Sequence, residues 1–533
     1  VPAGGASVGA GRPARRRAPA EVPRGGRKRC GSAAGGCSGP GGAAGGIRGG
    51  PAAAGKPGTL VSAASPAPMA SLPRPVGPSP RANLLTALVE TLGQAVLLPA
   101  RLLGDALARD RRLAEFRSLW TAPPAPMDPP PTAFGTPRVL TLFLSCAEAS
   151  GEHHGLYLLR AIEAELAAAG WPRPRWFGLG GARLGEAGVT RVGDPVARAS
   201  MGFGVAKALP YYLRLLESAA ATLQRERVDL CIGVDSPALH GPLAGMAKRC
   251  GVPTLQFVAP QHWAWAPWRS AAWARRVDLT LTLLPFEPAW FAARGVRTRH
   301  VGHPILDELP ERQPAPSRPR LVLLPGSRRS VIARHLPVQL SLAKALRARH
   351  PGIEVLVAQG RRELGPQIEA ILGAEGAADW ARLALGDLHG HLAGARAAIT
   401  VSGTVLLDLL HQRIPALVLY RVESAFEEWL GRRALSVPCF GITNLLAGRM
   451  VLPEFGFRGA PPLAALGQAL EQLWDDGPAR TAALAGLEQA AERLGPPGAN
   501  RRAAAWALAL ANREFSPAER EASRAPAVGL RTR

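Results

Sequence analysis

Residues 138–170 read RVLTLFLSCAEASGEHHG (138–155) and then LYLLRAIEAELAAAG (156–170), and this stretch decides the fold. The first part is an apolar, β-rich run that stops at small and polar residues, and the second carries apolar side chains at helical spacing. A buried strand feeding a helix through a short loop is half of a βαβ unit, in which parallel strands are covered by helices. The same pattern recurs at RVDLCIGVD (227–235), VPTLQFVAP (252–260), VDLTLTLL (277–284), RLVLLPGSR (320–328), IEVLVAQG (353–360), ARAAITVSGT (395–404) and IPALVLY (414–420). The Pro-rich LPERQPAPSRPR (309–320) divides the series into two comparable sets. The expectation is therefore an α/β protein with two Rossmann-like doubly wound domains, 138–310 and 311–490, facing a cleft, and a C-terminal helix and tail over 491–533. Ligands belong at the C-terminal ends of the strands.

Upstream, residues 1–82 are rich in Gly, Ala, Pro and Arg with few large apolar side chains, too few to offset chain entropy, and read as a disordered low-complexity leader. Residues 83–137 read as an amphipathic helical segment and a Pro-rich linker. Leu85, Leu88, Val89, Leu92 and Val96 recur at helical spacing before Pro99, and Leu102 and Leu103 extend the stripe. Such a stripe either packs on the α/β body or lies on a bilayer surface. The chain holds 64 basic against 40 acidic residues, a net charge of +24, which favours phosphate-rich partners: a nucleotide, anionic lipid or nucleic acid. Six cysteines without short paired spacings argue against a zinc site or a disulfide framework and suit a reducing cytoplasm. No window approaches the roughly 20 apolar residues of a membrane-spanning helix, and the N-terminus lacks a signal-peptide pattern, so neither secretion nor membrane integration is expected.

Two strand-end loops of the second set resemble phosphate cradles. Gly326, Ser327 and Arg328 offer backbone N–H groups, a hydroxyl and a guanidinium; Ser402, Gly403 and Thr404 open a helix whose unpaired amides attract a diphosphate. The first set offers carboxylates instead. Glu148, Ser150, Gly151 and Glu152 crowd one loop, and Asp235 ends another apolar strand, where partial burial suits it to act as a general base. His153 and His154, being adjacent, are poorly placed to share one metal ion and read as surface histidines. The aromatic FVAPQHWAWAPWR (257–269) follows a strand. Trp263 and Trp268 are read as lining the lipid-facing side of the cleft, while Trp265 reads equally well as core.

The ordered motifs AEASGEHHG (147–155), GLGG (178–181), MGFGV (201–205), GVDSP (233–237), APQHWAW (259–265), LLPFE (283–287), VGHPILD (301–307), LLPGSR (323–328), SGTVLLD (402–408) and GITNLLAGRMVLPE (441–454) resemble the lipid-A-disaccharide synthase family, glycosyltransferases of GT-B fold. The resemblance implies inverting transfer of 2,3-diacylglucosamine from UDP to the 6-hydroxyl of 2,3-diacylglucosamine 1-phosphate (lipid X), with neither metal nor cofactor. Within that reaction Asp235, at a strand end facing the cleft, reads as the catalytic base, with Glu148 as runner-up. The donor side is then Gly326, Ser327, Arg328, Ser402, Gly403, Thr404, Asp408, Asn444 and Glu454, and the acceptor side Ser150, Gly151, Met201 and Trp263, with Trp268 added from the aromatic loop itself. Ala147, Glu152 and Asp408 depart conservatively from the family pattern; Ala238, His240, Val331 and Phe457 depart more strongly and bear on substrate preference. Expected partners are UDP-2,3-diacylglucosamine, lipid X and the cytoplasmic face of an inner membrane, with a homodimer left open and no nucleic acid. The alternatives are another inverting UDP-sugar transferase or an epimerase of the same fold and, lower, a non-catalytic lipid- or nucleic-acid-binding protein.

Overall fold

The computed structural model describes residues 77–132, 135–198, 204–309 and 318–512. The expected leader up to residue 76, the acceptor candidate Met201 and the tail beyond 512 lie outside the described residues.

The first half builds a seven-stranded sheet from β1 (Thr141–Cys146), β2 (Arg175–Leu179), β3 (Thr190–Gly193), β4 (Leu230–Val234), β5 (Thr254–Phe257), β6 (Leu279–Thr282) and β7 (Thr298–His300). The second half builds a six-stranded sheet from β8 (Arg320–Leu324), β9 (Glu354–Gln359), β10 (Ala381–Leu385), β11 (Ala397–Val401), β12 (Ala416–Arg421) and β13 (Glu454–Phe457). Every ladder pairing is parallel. β1, β4 and β11 are buried at every residue, as strands covered on both faces must be.

Strand order places the site. The sheets run β3-β2-β1-β4-β5-β6-β7 and β10-β9-β8-β11-β12-β13. Connections leave β1 and β4 on opposite sides, and likewise β8 and β11, so a crevice opens beyond the strand ends at each switch point. The four loops there begin with Ala147–Glu148, Asp235, Pro325–Gly326 and Ser402–Gly403.

The halves share a core. Trp263, Phe286 and Trp290 of the first half belong to the same buried cluster as Val322, Leu324, Leu406 and Leu446 of the second. Helix Arg109–Thr121 joins that cluster through Phe116 and Trp120, whose indole N–H donates to the carbonyls of Asn444 (3.1 Å) and Leu445 (3.0 Å). At the other end of the chain, helix Ala499–Ala511 returns to the first sheet and packs on helix Ala149–Ala168. Asp307 holds its start, accepting from the amides of Gly498, Ala499 and Asn500, so the aspartate of VGHPILD is a helix cap.

The N-terminal segment forms helices Pro80–Val96 and Leu98–Leu107. The first starts at Pro80, earlier than the apolar spacing suggests, because the Ser79 hydroxyl accepts from the Ala82 amide and proline suits the first helical turn. It docks on helices Gly204–Arg225 and Pro237–Arg249 through Asn83 and Ala87, while Leu85, Val89, Leu92 and Val96 remain exposed.

Candidate active site

At the first switch point the backbone itself is unusual. Asp235 and Ser236, just past β4, sit in the left-handed region at φ 57° and 37°, a conformation that costs non-glycine residues energy and persists only where neighbours enforce it. Here they do. The Asp235 amide donates to the Phe257 carbonyl (3.0 Å), and the Asp235 carbonyl accepts from Gln256 Nε2 (2.8 Å) and pairs with His240 Nδ1 (2.7 Å). The far nitrogen of His240 meets Ser145 Oγ of β1 at 3.0 Å, tying the turn to the neighbouring strand. Gly233 makes room for this clamp, since a Cβ there would meet Gln256 Oε1 at 2.7 Å and the His240 ring at 2.8 Å. The Asp235 carboxylate, by contrast, has no hydrogen-bond partner among the described residues. Beside it, Gly151 lets helix Ala149–Ala168 start against β4: a Cβ there would lie 3.7 Å from that of Asp235. Glu148 occupies the cap of this helix and Ser150 its exposed first turn, whereas Glu152 turns inward and accepts from the Leu184 amide (3.2 Å).

At the second switch point Gly326 takes φ 110°, and its carbonyl accepts from Gln359 Nε2 (2.8 Å). Ser327 and Arg328 reach solvent before helix Arg329–Arg349. Gly403 faces open space ahead of helix Val405–Gln412, and the Ser402 hydroxyl donates to the Phe440 carbonyl (3.2 Å). Two of the expected donor contacts behave differently. Asn444 is fully buried and spends its amide internally: Nδ2 donates to the Leu452 carbonyl (2.8 Å) and Glu454 Oε1 (2.6 Å), and Oδ1 accepts from the Val451 (2.7 Å) and Leu452 (2.9 Å) amides. Asn444 therefore spends its side-chain hydrogen bonds on holding this loop. Glu454 accepts from the Phe440 (2.6 Å) and Gly441 (2.8 Å) amides, so the pair braces the turn that receives Ser402.

Between the switch points lies a cluster of titratable groups that no spacing could assemble, because its members are distant in sequence. His153 Nε2 pairs with Glu308 Oε2, and His154 sits between the rings of His153 (5.8 Å) and His303 (6.4 Å). From the second half Asp408, which is buried, meets His389 Nδ1 at 3.3 Å. Burial pushes Asp408 up to about 6, opposed by His389 and assisted by Glu308. His153 and His154 are thus half-buried side chains of helix Ala149–Ala168 with partners from elsewhere in the chain, not free loop histidines; the signal that places them is Glu308, 155 positions from His153.

Burial also holds three histidines neutral: His240 falls to about 4, His262 to about 3 and His303 to about 3. Above roughly pH 6.5 the folded and unfolded chains both carry them uncharged. Below it the unfolded chain binds protons that the folded chain refuses, so stability falls as pH drops from 6.5 toward 4, by about 1.4 kcal/mol per pH unit for each such group. Tm measured across this window should decline with acid, and His262→Gln, replacing a side chain 3.2 Å from Ser270 Oγ, should flatten part of the slope. An unchanged slope in that variant would remove His262 from the account.

The aromatic loop divides differently from the sequence expectation. Trp263 is 4% exposed, stacked on Phe116 (5.8 Å between centroids) and edge-on to Phe286 (5.0 Å), with its indole N–H on Glu287 Oε1 (3.0 Å). It is core, not a lipid-facing side chain. Trp268 is half-buried, and Trp265 is the exposed ring at 47%, with the Arg269 guanidinium 5.2 Å from its centroid.

Comparison with known proteins adds the remaining observation. A sequence profile described as lipid-A-disaccharide synthetase matches residues 142–495. The lipid-A-disaccharide synthase of Myxococcus xanthus (strain DK1622) is 34% identical over 362 residues, covering 65% of this chain and 91% of the relative. That of Rhodopseudomonas palustris (strain BisB18) is 32% identical over 372 residues, covering 66% and 90%. Apart from Thr141 at the start of β1, both sheets and all four switch-point loops lie within the matched residues.

Proposed function

The chain belongs to the lipid-A-disaccharide synthase family, and from that membership we propose a residue-level account of how it joins two acylated sugars. It is a glycosyltransferase of lipid A synthesis. The donor is UDP-2,3-diacylglucosamine and the acceptor 2,3-diacylglucosamine 1-phosphate. Asp235 takes the proton of the acceptor 6-hydroxyl as that oxygen attacks the anomeric carbon; the bond to the UDP oxygen breaks, and configuration inverts. Charge developing on the leaving diphosphate is met by the amides at the start of helix Val405–Gln412, by Ser402 and Thr404, and by Arg328. The observation that carries this reading is the paired switch-point geometry: an unpartnered carboxylate on a clamped left-handed turn in one half, open phosphate-type loops in the other.

Incubation with the two substrates should release UDP in step with a disaccharide of the combined mass. UDP release without an acceptor, or conversion of the donor sugar alone, would favour the epimerase alternative. Arg328→Ala should raise the KM for donor by roughly tenfold, in line with loss of a charge-assisted contact, with a smaller change in kcat. An effect confined to kcat would assign Arg328 to the chemical step instead.

Among the described residues no single helix is long and apolar enough to cross a membrane. Acyl chains nonetheless prefer the bilayer by about 0.8 kcal/mol per methylene, which supports a reaction run at a membrane surface, on the cytoplasmic face of an inner membrane where nucleotide sugars are available.

A further inference from the structure

Nine of the seventeen large hydrophobic residues exposed among the described residues lie between Leu85 and Leu107. Helix Pro80–Val96 leaves most of its large apolar side chains outside. Its docked side combines Ala87 and Leu84, which pack on the core, with polar anchors: Asn83 Nδ2 donates to the Met246 carbonyl (3.0 Å), Arg249 Nε donates to Asn83 Oδ1 (2.6 Å), and Glu90 pairs with Arg249 (3.3 Å) and Arg276 (2.6 Å). Its outer side carries Leu85, Val89, Leu92 and Val96 at helical spacing, each more than 60% exposed. A surface helix in water turns its apolar stripe inward, so the solvent expected by this face is not water. Helix Leu98–Leu107, bent by 48° from the first, continues the apolar surface through Leu103 and Leu107.

Charge narrows the choice of partner. The only carboxylates in residues 80–107 are Glu90, engaged as above, and Asp105, buried in an ion pair with Arg112. Basic side chains outnumber acidic ones around this face: Arg81, 91% exposed and 3.4 Å from Glu217, half-buried Arg101, and then exposed Arg111 and Arg117, with Asp110 the exposed carboxylate among them. An apolar face whose own two carboxylates are engaged inward and whose flanks are net basic complements an anionic lipid surface. Spanning is excluded by the docked polar side, which cannot be surrounded by lipid.

The surface also leads to the cleft. Helix Leu98–Leu107 packs on helix Ala425–Ala434 of the second half, and the Ser436 amide that follows donates to the Ala264 carbonyl (2.9 Å), next to exposed Trp265. We propose that residues 80–107 lie in the interface of an anionic bilayer and hold the Trp265 side of the cleft toward it, so that acylated sugars enter without crossing water; this last clause rests on the transferase reading. The family match begins at residue 142, so family membership does not by itself account for this element.

The test uses full-length protein and phosphatidylethanolamine vesicles with and without phosphatidylglycerol. Leu92→Glu combined with Leu103→Glu, at exposed positions, should leave Tm unchanged and lower the vesicle-bound to free ratio by roughly tenfold or more. Arg101→Glu with Arg111→Glu should reduce binding only to the phosphatidylglycerol vesicles. In both variants, transfer between detergent-dispersed substrates should match the parent, while transfer between vesicle-borne substrates should fall with binding. Parent-like vesicle binding by the Leu variant overturns the proposal. So does a parental dimer that the Leu substitutions split, which would assign the face to a second copy. If the parent binds vesicles through this face yet transfers no sugar in detergent, docking stands and the transferase reading fails.

Discussion

Asp235→Asn is expected to lower kcat by about 10²–10⁴, the range associated with losing a positioned general base, while donor KM stays within roughly threefold. The substitution isolates the chemistry because the backbone constraint is respected. At φ 57° most side chains are strained, but asparagine tolerates the left-handed region as well as aspartate does. The amide and carbonyl of residue 235 keep their bonds to Phe257, Gln256 and His240, so the turn should persist and thermal stability should remain close to that of the parent. What disappears is the carboxylate proposed to accept the acceptor's proton. Single-turnover assays at saturating donor, read alongside UDP affinity, separate this from a binding defect. Retention of more than about a tenth of the parental rate would move the base elsewhere. Glu148, at the cap of the adjoining helix, and His154, which feels both Asp235 and Glu308, are the candidates to examine next.

The second large effect is on stability. Trp263→Ala should destabilise the fold by about 3–5 kcal/mol, as removal of a buried tryptophan does. Packing is only part of the loss. The Trp263 indole is one of three donors to Glu287, the others being the Leu283 (2.9 Å) and Leu284 (3.0 Å) amides, and burial already pushes this carboxyl up to about 7. Losing one donor from a buried carboxylate adds to the cost, and because Phe116 stacks on the same ring, helix Arg109–Thr121 should loosen with it. Trp265→Ala supplies the contrast: at an exposed site its stability cost should stay within about 0.5 kcal/mol, while affinity for the acylated acceptor should fall. A denaturation midpoint for Trp263→Ala equal to that of Trp265→Ala would contradict the placement of these rings.

The sequence by itself determined what is local. Apolar runs of strand length ending in small residues, each feeding a helical stripe, specify parallel sheets covered by helices, and the Pro-rich break at 309–320 separates two of them. The candidate loops were legible for the same reason: a strand's end is visible in the sequence, and Asp235, Gly326–Arg328 and Ser402–Thr404 all stand at one. Only the tertiary structure decided which side of a loop or helix faces what. Trp263 and Trp265 are two residues apart in a turn without periodicity, and the difference between them comes from Phe116 and Phe286 arriving to cover one ring. Asn444 and Glu454 have side chains suited equally to a ribose or to backbone groups; the turn at Phe440–Gly441 engages Glu454, and the Val451–Leu452 backbone with Glu454 engages Asn444. The stripe from Leu85 to Val96 was plain, but its direction was not. That depended on Met246, Arg249 and Arg276 offering a polar surface to Asn83 and Glu90, a choice made by side chains more than 150 positions away.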